Sequence, residues 1–68
     1  QQIPVTDRIA GISIERLDIR KKYGLNIIAI ESDGSTETEI SPEYRIRKED
    51  ILVVIGKMDN IWKFEHDI

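Results

Sequence analysis

A small α+β fold is predicted, with three to five mostly antiparallel strands and two helices in the order strand, helix, strands, helix. Three observations predict it. Two dense apolar runs at residues 27–30 and 51–55 are too short for helices that bury themselves and have the length of strands. Asp33-Gly34 lies between strand-like segments, and both residue types tolerate positive φ, as a tight hairpin requires. Two further stretches carry helix-capping residues, and the second also has apolar spacings of three and four, the mark of a helix with one buried face.

The elements follow in chain order. Ile3 and Val5 flank Pro4 in a short extended piece, and proline confines such a piece to the edge or end of a sheet. Ser13 is a suitable N-cap for a helix over residues 13–23, with Glu15 where the positive helix end favours an anion and Gly24 as a C′ residue. Asp18 can itself cap, which would split the stretch into two short turns. Residues 25–31 read as a strand covered on both faces. Beyond the turn, Thr36, Thr38 and Ile40 alternate with Glu37 and Glu39 as in an exposed returning strand that Ser41-Pro42 ends. Arg45-Ile46-Arg47 is a short alternating piece before the acidic turn Glu49-Asp50, and residues 51–55 carry the strongest strand signal. Asp59 can cap a last helix whose apolar face holds Ile61, Phe64 and Ile68, widened by Trp62.

Sixty-eight residues make one domain, of a size that buries a modest share of its surface. Ten Lys and Arg against thirteen Asp and Glu give a formal charge of −3, which argues against a face that neutralises nucleic-acid phosphates. Without cysteine there is neither a disulfide nor a thiolate metal site. No apolar run approaches the ~20 residues of a spanning helix, so direct membrane insertion is not expected. The chain begins at Gln1 rather than methionine, and the expectation is a fragment of a longer protein.

Catalytic chemistry is hard to assemble from these residues. His66, the only histidine, sits in the last turn of the final helix, where the helix dipole favours its cation, and it has no triad partners in sequence. The four serines fit caps and turns, and none lies in a Gly-x-Ser-x-Gly elbow. Glu31, Asp33, Glu37 and Glu39 cluster around the hairpin without the spacing of an EF-hand loop and read as a solvated edge. The glycines are scattered, so there is no phosphate-binding glycine-rich loop. The expectation is no enzyme, no metal and no cofactor.

Three phrases, in order, resemble the RCK_C (TrkA-C) domain, the C-terminal regulatory domain of Ktr and Trk bacterial potassium-uptake gating subunits. The first is Leu17-Asp18-Ile19-Arg20-Lys21-Lys22-Tyr23-Gly24 running into Leu25-Asn26-Ile27-Ile28-Ala29-Ile30. Ser41-Pro42 is the second, and Lys48-Glu49-Asp50-Ile51-Leu52-Val53-Val54-Ile55-Gly56 with residues 61–64 behind it is the third. Glu49 departs from the glycine common there, a change confined to a turn.

The resemblance implies that residues 1–68 form one RCK_C domain of a longer chain, lacking an N-terminal nucleotide-binding domain. It implies a cytoplasmic homodimer, peripheral to the inner face of the membrane through a potassium channel or transporter subunit, while the charge balance gives the expectation of no nucleic-acid polymer as partner. It further implies that cyclic di-AMP binds between two such domains. On that reading Arg20 faces a phosphate, Asn26 adds an amide contact, and Asp18 accepts from a base amine. Ile14, Ile19, Ile27 and Pro42 then supply apolar surface for the adenines. The alternative is a structural dimerisation domain of a cation/proton antiporter or other transporter, sensing a different ligand or none.

Overall fold

The computed structural model describes all residues, 1–68. Its four strands form one antiparallel sheet in the spatial order β1, β4, β2, β3. β1 is Gln2–Pro4, β2 is Asn26–Ser32, β3 is Ser35–Glu37 and β4 is Ile51–Ile55. Helices α1 (Ile14–Leu17), α2 (Ile19–Tyr23) and α3 (Met58–Asp67) complete the α+β fold. β1 is an edge strand, which is where Pro4 costs the ladder least.

One row of side chains shows how the core is built. Ile3 pairs with Leu52, and Leu52 pairs in turn with Ile30, so all three stand on one face of the sheet. All three are buried, and Val54, Leu25, Ile46 and Phe64 fill the space between them and the helices. Phe64 and Ile61 lie three positions apart on α3 and both point inward.

The residue chemistry explains where the sequence reading and the fold differ. The first helical stretch is broken at Asp18, which sits in the left-handed region at φ 50° and is at once the C-cap of α1 and the N-cap of α2. Ser13 caps α1 as expected, accepting from the Arg16 amide at 3.2 Å. The expected Asp59 cap is corrected: α3 starts two residues earlier, with Lys57 as its N-cap, and Asp59 lies in its first turn. Trp62 does not widen the buried face, because it is 65% exposed. The return strand stops at Glu37, whose carboxylate folds back to accept the Glu39 amide at 3.0 Å and turns the chain away from the sheet. Residues 45–47 make only an isolated bridge, Arg45 to Ser13. Nor is β2 covered on both faces. Its register with β4 shifts between Ile27 and Ala29, and Ile28, at that irregularity, is left 46% exposed.

The hairpin is as the sequence indicated. Asp33 and Gly34 adopt φ of 48° and 79°, the pair of positive values that matches strand twist.

A groove between the broken helix and the second strand

Breaking the helix at Asp18 redirects the chain and sets α2 against the start of β2. The segment at 41–47 lies alongside, because the Glu15 amide donates to the Pro42 carbonyl at 2.8 Å and the Ile14 amide to the Tyr44 carbonyl at 2.9 Å. Between them is a groove of about 380 Å³, at the small end of ligand sites, lined by ten residues. Ile14, Asp18, Ile19, Arg20, Asn26, Ile27 and Pro42 are all among them. Residues widely separated in sequence therefore meet at one surface. Glu15, Leu25 and Ile40 line it too and escaped the sequence reading. Glu15 reads as a helix-start anion, Leu25 as strand core and Ile40 as part of a strand, so nothing in their local pattern points to a groove.

Ile19 and Leu25 are buried and form its floor, whereas Ile14 and Ile27 are half-buried and pack on the core while facing the opening. The polar members are idle. Neither Asp18, Arg20 nor Asn26 makes a side-chain hydrogen bond within the chain. Arg20 is exposed and has no carboxylate in ion-pair range. A free guanidinium fork, a free amide and an apolar floor suit an anion that also carries flat apolar rings.

The stretch that bears Ile40 and Pro42 is followed by a second polar cluster, centred on Asp50 of the acidic turn. Asp50 is almost fully buried. Its carboxylate accepts from the Tyr44 hydroxyl at 2.6 Å and the Arg47 amide at 2.9 Å, with the Arg47 guanidinium 3.5 Å away. Burial alone pushes this carboxyl up, but the bonds from Tyr44 and Arg47 outweigh it and hold it below the usual carboxylate range. Burial, together with the bond to Asp50, pushes the Tyr44 hydroxyl up. The cluster pins residues 44–50, and through them the stretch bearing Ile40 and Pro42.

The TrkA-C domain model matches residues 2–67. The chain belongs to the TrkA-C family. Among relatives of this TrkA-C domain, the Ktr system potassium uptake protein C of Bacillus subtilis is 44% identical over 66 residues, and protein A of the same system is 35% identical. The matches cover 94% and 97% of this chain but only 29% and 30% of those proteins, so the domain spans under a third of their length. The RCK C domain of the potassium transport protein KtrA, solved with cyclic di-AMP, superposes with a TM-score of 0.96 at 37% identity, covering 100% of this chain and 80% of that one. The RCK_C domain dimer of S. agalactiae BusR, also bound to cyclic di-AMP, gives 0.83 at 25% identity and covers 97% of this chain and 90% of that one. No helix of this TrkA-C domain is long and apolar enough to cross a membrane.

Proposed function

We propose that this TrkA-C domain is a regulatory ligand-binding module rather than an enzyme, that it pairs with a second copy of itself, and that it binds cyclic di-AMP at the interface of the two. In this reading it controls a potassium channel or transporter from the cytoplasmic side of the membrane. The observation that carries the proposal is the groove's idle chemistry, in a fold closely similar to a KtrA domain solved with that dinucleotide. Arg20 would fork onto phosphate oxygens, Asn26 would add an amide bond, and Asp18 would accept from an adenine amine. Ile14, Ile19, Ile27 and Pro42 would receive the rings.

A two-fold ligand suits a two-fold pair, because each copy offers the same groups to half of it. The surface beside the groove supports pairing. Asn26 stands opposite Ile55 in the sheet, and Ile55 and Ile28 are each about half exposed, an apolar surface that a twin would cover. For regulation, the ligand must bind one arrangement of the dimer more tightly than another, since equal affinity shifts nothing.

Calorimetric titration with light scattering tests this. The expected result is saturable heat with one cyclic di-AMP per dimer. A stable dimer that gives no heat at tens of micromolar ligand would instead favour a structural dimerisation domain of an antiporter or other transporter. A monomer indifferent to the dinucleotide would refute both.

A further inference from the structure

α2 has five residues, too few to hold itself as a helix in water, so its direction is set by what its side chains grip. It is gripped at both ends. Ile19, its first residue, is buried in the core. Tyr23, its last, lays its ring edge-on against the fully buried Phe64 of α3, with centroids 5.2 Å apart and planes at 69°. The Tyr23 hydroxyl then reaches past Phe64 to donate to Asp67 Oδ2 at 2.7 Å. Arg20 lies between the two grips, three positions before Tyr23 and so on the same side of the helix.

The end of this turn is also close against α3. A Cβ at Gly24, the left-handed C-cap, would come within 3.2 Å of Asn60 Nδ2. The Gly24 amide closes the turn by donating to the Arg20 carbonyl at 2.9 Å. The backbone of Arg20 is thus tied to a residue seated on α3, while its guanidinium is free. A charged fork is effective only if its base is fixed.

We propose that Tyr23 is a positioning residue for the groove: its bond to Asp67 anchors α2 to α3 and thereby aims Arg20 at the ligand phosphate, although Tyr23 does not line the groove itself. This rests on the dinucleotide reading above. The edge-to-face ring contact alone keeps the helices together, and the hydroxyl fixes the rotation of α2. Tyr23→Phe preserves the ring and removes only that bond.

The test is a double-mutant cycle of Tyr23→Phe and Arg20→Ala, read by cyclic di-AMP affinity and by amide hydrogen exchange at Lys22 and Gly24. Tyr23→Phe is expected to weaken binding about three- to tenfold in the parent and less than about twofold in the Arg20→Ala background. It should also speed exchange at both amides, with or without ligand. Asp67→Asn, which keeps an acceptor oxygen, should stay close to the parent, whereas Asp67→Ala should match Tyr23→Phe. Equal loss in both backgrounds, or unchanged exchange, overturns the positioning role alone. A parent domain that binds no dinucleotide overturns this role and the ligand reading together.

Discussion

Two places in this small domain bring an arginine and an aspartate together with other polar groups, and they differ in what those groups touch. Around Asp50 every partner is inside the chain: Tyr44 and Arg47 both donate to it, and Arg47 also donates to Ser32 at 3.0 Å. Around Asp18 and Arg20 none is, and the side chains line an open groove. The buried carboxylate of the first cluster has its bonds supplied by folding, and the cluster ties down residues 44–50, next to the stretch that forms the groove wall at Ile40 and Pro42. The second is left unsatisfied, which makes it available to something outside. Residue types alone do not separate structure from function here, and only the inventory of partners does.

Substitutions that remove the partners sharpen this contrast, beginning with the largest effect. Asp50→Ala strands the Tyr44 hydroxyl and the Arg47 amide and is expected to cost about 2–3 kcal/mol of stability in urea unfolding. A loss under about 1 kcal/mol would mean that the cluster is not what ties down residues 44–50. Arg20→Ala is the mirror image. It should leave stability within about 0.5 kcal/mol while weakening cyclic di-AMP by about ten- to a hundredfold, as loss of a charge-assisted bond implies. Destabilisation without loss of binding would reverse the contrast between the two regions.

Acid tests the Asp50 cluster a second way. Because Asp50 titrates below its ordinary value when folded, its stabilisation is present above the unfolded pKa and disappears as pH falls through the folded one. Unfolding midpoints below the usual carboxylate range should therefore fall more steeply in the parent than in Asp50→Asn. Parallel slopes would show that Asp50 is not held ionised by its partners. The smallest effect is expected at Asp18. With φ at 50°, Asp18→Gly relieves the left-handed conformation at the cost of a more flexible unfolded chain, and stability should change by less than about 1 kcal/mol. Asp18→Val, which cannot enter that region without strain, should cost more.

Much of the fold was legible because it rests on local rules. The 51–55 run is a strand because four of its five residues are β-branched, Ser13 caps because its oxygen reaches the Arg16 amide, and Asp33-Gly34 turns because both accept positive φ. What could not be read depended on distant partners. Trp62 fits the helical period as well as its neighbours, and only the finished packing shows that Phe64 and Ile61 fill the available space and leave it outside. The choice at Asp18 between one helix and two was open, since the residue serves either way. For the groove, the resemblance supplied seven residues, whereas Glu15, Leu25 and Ile40 enter through loop pairing that no spacing encodes. Asp50 looked like a turn residue because its partners, Tyr44 and Arg47, have no signature before they meet it.

The two regions can be read side by side in one titration. Cyclic di-AMP added to the isotopically labelled domain should shift the amide resonances of Asp18, Arg20, Asn26 and Ile27 saturably, while those of Ser32, Tyr44 and Arg47 move much less. Shifts centred on Tyr44 and Arg47, or none at all at saturating ligand, would contradict the assignment of the groove as the binding surface.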